Sequence, residues 1–171
     1  MTITYYGDGK GKTTAALGLA LRAIGDGKNV KIIQFIKGDW CSSEEESIKK
    51  IKGIEIEKFG LGFVGAPCDH HKHSDHEYCA KLGLNAAQKA INSPKYDVVV
   101  LDEINWAIQE YLIKEGKVVD LIKNCPKEKT LVLTGAPKIK ELIELSDLVT
   151  QMKKIKHPYD KGINAIRGID F

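Results

Sequence analysis

A chain of 171 residues is long enough to bury a core without disulfide or metal staples, so one domain over residues 1–171 is the expectation. A net charge of +3, with no Lys/Arg stripe interleaved with aromatics, argues against nucleic acid as a partner. No apolar run reaches about 18 residues and no signal-peptide pattern occurs. The four cysteines, Cys41, Cys68, Cys79 and Cys125, read as reduced thiols, so a cytoplasmic protein off the membrane is expected.

In chain order, short apolar runs predict strands at Ile3–Tyr6, Val30–Phe35, Ile54–Lys58, Asp97–Leu101, Thr130–Leu133 and Leu148–Met152. The segments between them predict helices at Lys12–Ile24, Ser43–Lys50, Asp75–Asn92, Trp106–Glu115, Val118–Lys123 and Lys138–Leu145. Gly25-Asp26-Gly27 closes the first helix, since glycine is favoured just past a helix end. Val98-Val99-Val100-Leu101 and Leu131-Val132-Leu133 are continuous rather than alternating, as in strands covered on both faces. The fold class that follows is α/β, P-loop NTPase-like (RecA-like), with a mostly parallel sheet and helices on both faces. Glu44-Glu45-Glu46 with Lys49-Lys50 reads as a solvated helix face. Trp40 and Trp106 read as core or interface packing ahead of cofactor stacking.

Directly behind the first strand stands Gly7-Asp8-Gly9-Lys10-Gly11-Lys12-Thr13-Thr14, a Gly-rich loop opening into a helix. Glycines let backbone N–H groups converge on phosphate oxygens, Lys12 supplies a point charge, and the Thr13 hydroxyl suits Mg²⁺. ATP is the expected ligand. The loop is one residue short: Asp8, Gly9 and Lys10 stand where four residues are usual, so the phosphates are expected to sit differently from those of an ordinary ATPase. A second element, the apolar run ending in Asp102-Glu103, brings an acid toward Thr13. Thr13, Asp102 and Glu103 are therefore the candidate Mg²⁺ ligands, the alternative being an acid that merely caps the next helix.

Cys68 to Cys79 packs four of the five histidines into twelve residues. One reading is a metal site with His73, His76 and Cys79 on one helical face; the other is a polar loop capped into a helix by Ser74 or Asp75. A third gives one of these histidines a contact with a ligand's side chains.

Taken together, the motifs resemble the ATP:corrinoid adenosyltransferases of the CobA/CobO/BtuR type. The short loop Gly7–Ala16 matches, as do Gln34-Phe35-Ile36-Lys37-Gly38, Gly62-Phe63 and Leu101-Asp102-Glu103-Ile104-Asn105. The most specific match is the tail: Asp147–Met152, Lys156-His157-Pro158-Tyr159-Asp160-Lys161-Gly162 and Gly168-Ile169-Asp170-Phe171. The resemblance implies transfer of the 5′-deoxyadenosyl group of ATP to the cobalt(I) of a corrinoid, with triphosphate leaving, in a homodimer served by a flavoprotein-type reductant. It implies that Lys12 and the Asp8–Gly11 backbone grip triphosphate, that Phe63 faces the corrin, and that Lys156 and His157 reach a ligand. Two positions depart from the enterobacterial pattern: Gly65 stands where that pattern has Trp, and Ala136 where it has Arg. A γ-phosphate-cleaving kinase or ATPase, and a corrinoid carrier without turnover, are the rival readings.

Overall fold

The computed structural model describes residues 1–38 and 42–170; the readings of Trp40, Cys41 and Phe171 lie outside the described residues. The elements are β1 (Thr2–Tyr6), α1 (Lys12–Gly25), β2 (Val30–Gln34), α2 (Ser43–Ile48), β3 (Ile54–Lys58), α3 (His73–Asn92), β4 (Val98–Asp102), α4 (Ile104–Gln109), α5 (Glu115–Lys123), β5 (Thr130–Gly135), α6 (Lys140–Leu145) and β6 (Leu148–Gln151), with a 3-10 turn at Pro158–Lys161. The strands form one sheet in the order β3-β2-β4-β5-β1-β6, and each pairing is parallel.

Successive strand residues point to opposite faces, and here both faces are covered. Ile3, Val30, Ile32, Val98, Val100 and Val132 pack under Ala16 and Ala20 of α1 and Ile48 of α2. Ile33, Val99, Leu101, Leu131 and Leu133 pack on the other side under α3, α4, α5 and α6. That two-sided burial is why β4 and β5 read as unbroken apolar runs. The edge strand β6 is exposed along its whole length. Among the described residues, no helix is long and apolar enough to cross a membrane.

One expected helix is broken. α4 stops at Gln109, Tyr111 takes a φ of 58°, and the N–H groups of Leu112 and Ile113 both return to the Ala107 carbonyl, at 2.9 and 3.1 Å. The turn swings Leu112 and Ile113 into the core, and α5 then begins at Glu115 rather than Val118. A left-handed residue costs about 1–2 kcal/mol. Burying the two aliphatic side chains returns about 1.5–3 kcal/mol each, so the break wins.

The loop after β3 presses close to the end of β2. Gly62 N–H donates to the Ile36 carbonyl at 2.9 Å, and a Cβ on Gly60 would lie 2.3 Å from the Ile36 carbonyl carbon. Backbone against backbone cannot yield without moving the loop. Gly60→Ala is therefore expected to lower stability by about 2 kcal/mol or more, read as a drop in urea midpoint at unchanged slope. A variant as stable as the parent would contradict this packing.

Candidate functional site

All strands point the same way, so the loops beyond their carboxyl ends gather on one edge, where open α/β sheets bind ligands. The Gly-rich loop follows β1, Lys37 follows β2, Phe63 follows β3, Asp102 ends β4 and Thr134 lies near the end of β5.

The phosphate loop is fastened at its back. Gly7 N–H donates to the Ala136 carbonyl at 3.1 Å and Gly9 N–H to the Met152 carbonyl at 2.8 Å. A Cβ on Gly7 would lie 2.3 Å from the Met152 oxygen, and one on Gly9 would lie 2.7 Å from the Lys153 carbonyl carbon, so neither position admits a side chain. Asp8 Oδ1 accepts the Lys154 N–H at 3.1 Å, which holds the Asp8 carboxyl below its ordinary range. Ala136 thus serves the loop through its carbonyl, which any residue supplies. Lys12 Nζ donates to the Gly7 and Gly9 carbonyls, at 2.8 Å each. Lys10 reaches the other way, to the Ile169 carbonyl at 2.8 Å and the Asp170 carboxylate. Gly11 caps α1 without a side-chain cap bond, and no acid occupies the first helical turn, which leaves the helix N-terminus suited to an anion.

Behind the loop lies Asp102, 1% exposed. Its Oδ1 accepts from Thr13 Oγ1 at 2.9 Å and Thr134 Oγ1 at 2.7 Å, and its Oδ2 accepts from Gln34 Nε2 at 3.0 Å. Glu103 follows in a left-handed conformation, φ 63°, its N–H donating to Thr134 Oγ1 at 3.0 Å. Burial first, then the neighbouring Asp102 charge, pushes the Glu103 carboxyl up to about 7, while Lys12 and Lys37 pull it down. Glu103 Oε2 is buried with no hydrogen-bond partner among the described residues. A poorly solvated carboxylate oxygen beside a Thr–Asp pair fits a hard divalent cation such as Mg²⁺.

These groups open on a cavity of about 790 Å³. Lys10, Gly11, Lys12, Thr13, Thr14 and Glu103 line it, and so do Leu61, Gly62, Phe63 and Ala66. Lys37 and Glu44, an ion pair, share the wall with Gly168, Ile169 and Asp170 of the tail. α2 therefore turns two of its acids inward: Glu44 lines the cavity and Glu45 pairs with Lys58 at 2.8 Å, against the expected solvated face. Phe63 is 57% exposed and meets Trp106 edge-on, ring centroids 6.2 Å apart and planes at 82°. Trp106 packs on the core and also touches that wall. His157 lines a second cavity of about 270 Å³ together with Lys10 and Asp170, whereas Lys156 is exposed and lines neither cavity. The cavity role of Lys37, Glu44 and the tail's Gly168–Asp170 went unread in the sequence, though the motif matches bracket Lys37 and the tail.

The histidine segment is a fastening device. Asp69 Oδ2 accepts the Gly65 N–H at 2.8 Å, Oδ1 accepts the His71 N–H at 3.0 Å, and both oxygens lie 3.1 Å from His76 Nε2. Those two amides and then the imidazole hold the Asp69 carboxyl at about 2. His76 is buried, and α3 starts at His73 with Lys72 as its N-cap and Asp75 accepting the Lys72 N–H at 3.1 Å. Among the described residues no group of three His, Cys, Asp or Glu side chains is placed to hold a metal ion, so the metal reading of His73, His76 and Cys79 falls. Helix entry and a clamped loop account for the cluster.

A parallel sheet with a phosphate loop after β1, an acid ending β4, and one strand between them defines an α/β P-loop nucleotide-binding domain of RecA-like strand order. The family model for ATP:corrinoid adenosyltransferase BtuR/CobO/CobP matches residues 1–171, and the chain belongs to that family. It is 34% identical over 169 residues to the corrinoid adenosyltransferase of Escherichia coli, covering 99% of this chain and 84% of that protein. The corrinoid adenosyltransferase of a Sinorhizobium species is 36% identical over 172 residues, covering 100% and 80%. Among solved structures, a KaiC-like protein of Pyrococcus horikoshii overlays at a TM-score of 0.49 and 16% identity over 88% of this chain and 71% of its own, too slight a likeness to add to the topology.

The Glu103 environment has a signed consequence. Its folded-state value near 7 lies above the ordinary 4.5, so between those values the folded protein holds the extra proton and loses stability as pH rises. Glu103→Gln removes that loss. The ligand-free variant is expected to gain melting temperature over the parent at pH 8 and to gain little at pH 5, while losing stabilisation by Mg-ATP. Equal shifts at both pH values would show that Glu103 is not strained by charge.

Proposed function

We propose that residues 1–171 act as one cytoplasmic P-loop domain that transfers the 5′-deoxyadenosyl group of ATP to the cobalt(I) of a corrinoid, as a homodimer with a flavoprotein-type reductant. The observation that carries this reading is a single cavity lined both by a phosphate loop and by the apolar loop of Leu61 and Phe63. A γ-phosphate-cleaving enzyme needs the first and has no use for the second.

In this reading the cobalt(I) electron pair attacks the ribose C5′. The cobalt–carbon bond forms as the C5′–oxygen bond breaks, and inorganic triphosphate departs with the bonding pair. No protein base is required, because cobalt(I) is itself the nucleophile. The protein's work is positioning and neutralisation of the leaving group. Lys12, with the N–H groups of Asp8 to Gly11 and the α1 N-terminus, holds the triphosphate. Gly7 and Thr14 shape the two ends of that cradle, and Lys10 adds a second ammonium. Mg²⁺, held by Thr13 with Asp102 or Glu103, supplies further positive charge to the phosphates when bound. Phe63 presents cobalt with an apolar face that offers no donor atom, so nothing on that side competes with the attack. His157 lies near enough to Lys10 to border the same ligand, whereas Lys156 is left out of the site.

The test is anaerobic. Protein, Mg-ATP and chemically reduced corrinoid are mixed, the cobalt spectrum is followed, and the phosphate product is identified. Conversion to a light-sensitive alkyl-cobalt species with triphosphate release is expected, and Lys12→Ala should slow it by about 10²–10³-fold, the scale for losing one preorganised charge contact. ADP with an unchanged cobalt spectrum would instead identify a phosphoryl-transfer enzyme. Corrinoid binding without turnover would identify a carrier.

A further inference from the structure

Phe63 has a setting unusual for a wall residue. Its backbone is tied on both sides, at Gly62 to the Ile36 carbonyl and at Gly65 to Asp69, but its flanking residues offer the ring no side chains: Gly62 and Gly65 take positive φ, 109° and 70°, and a Cβ built on either meets nothing within 4 Å. The ring itself is 57% exposed. A side chain this exposed would ordinarily sample several rotamers, and ordering it on a ligand would cost conformational entropy. The ring contact recorded for it is Trp106, which meets it edge-to-face with centroids 6.2 Å apart and planes at 82°, inside the favourable range for aromatic pairs. Trp106 is packed where Phe63 is exposed. It sits in α4, packs against the main core cluster, and follows by three residues the turn at Glu103 that also closes behind the phosphate loop. Asp69 holds the far side of the same loop through the Gly65 N–H.

We propose that Trp106 is a positioning residue for the corrinoid: its indole holds the Phe63 ring upright as the apolar wall of the cavity, so that the wall is already ordered when substrate arrives. The inference rests on the corrinoid reading above. Trp106 touches neither substrate nor the reacting atoms; it acts through Phe63. Two consequences follow. Losing the indole weakens use of the corrinoid and leaves use of Mg-ATP alone, because the phosphate contacts sit on other elements. The loss also vanishes once the Phe63 ring is gone, because there is then nothing to hold.

The experiment is a double-mutant cycle in the full chain, measuring KM for the reduced corrinoid and for Mg-ATP separately, with thermal melting as the check on folding. Trp106→Met is expected to raise the corrinoid KM about two- to tenfold, the range for one aromatic pair. The KM for Mg-ATP should stay within about twofold, and Trp106→Phe should restore most of the loss by returning a ring edge. In a Phe63→Ala background, Trp106→Met should add nothing. Should Trp106→Met not fold, Trp106→His carries the same cycle with a smaller expected effect. Equal rises in both KM values, additive effects in the double variant, or no rescue by Phe would each overturn the inference. If Phe63→Ala leaves the corrinoid KM unchanged while adenosylation proceeds, the placing of the corrin against Phe63 fails, and the role of Trp106 fails with it. A protein that never alkylates cobalt would instead defeat the functional reading itself.

Discussion

Everything at the carboxyl edge of the sheet hangs on the Asp102 carboxylate. A carboxylate 1% exposed is expensive unless donors replace its lost water, and three do: Thr13 from α1, Gln34 from β2 and Thr134 from β5. The donors come from three different elements, so one charge fixes how the first turn of α1 sits over the ends of three strands. The same arrangement explains why Glu103 is strained. With Asp102 fully satisfied behind the loop, the next carboxyl is forced by a left-handed turn into a place where burial and a like charge both oppose its ionisation. Positive charge at that oxygen relieves it: a proton in the ligand-free protein, or the Mg²⁺ proposed above.

The chain's two ends build the phosphate loop together. β1 leads into it, and β6, paired beside β1 in parallel, carries the tail that backs it. Met152 and Lys153 lie so close to Gly7 and Gly9 that a methyl group would collide with their backbone. The shortened loop thus owes its shape to a segment about 145 residues away in the chain, and Asp8 is tied to that same segment through the Lys154 N–H. Packing against β6 and its continuation constrains the loop from behind.

β4 and β5 were legible because burial on both faces writes itself as unbroken apolar runs, and the bounds of all six strands agree with the sequence reading to within one or two residues. The phosphate loop and Asp102 were legible because their chemistry needs fixed residue types at fixed places. What stayed hidden was decided by partners distant in sequence. The break at Tyr111 is driven by where Leu112 and Ile113 find a core, which no local propensity encodes. The acids of α2 looked like a solvated face because Lys37 and Lys58, which draw two of them inward, lie on other elements. The histidine segment left a metal site and a polar loop capped into a helix both open, because imidazole has several uses. Asp69 turns His76 into a loop fastener, and only its position shows this.

The cavity's cations differ in how readily they meet an anion. Lys10 already has the Asp170 carboxylate and Lys37 already has Glu44, whereas Lys12 rests on two neutral carbonyls among the described residues. A polyphosphate entering the site competes with charged oxygens for Lys10 and Lys37 but with uncharged ones for Lys12. Bonds to charged acceptors are roughly twice as strong as those between neutral groups, so in the proposed reading Lys12 would gain most on meeting triphosphate, and the other two would largely exchange one anion for another. The exchange still has a use. Each carboxylate holds its ammonium at the cavity wall, so less side-chain freedom is lost when phosphate takes that place. In that reading Lys10 and Lys37 wait at the wall on carboxylates, and Lys12 is the ammonium whose acceptors would change from neutral to charged.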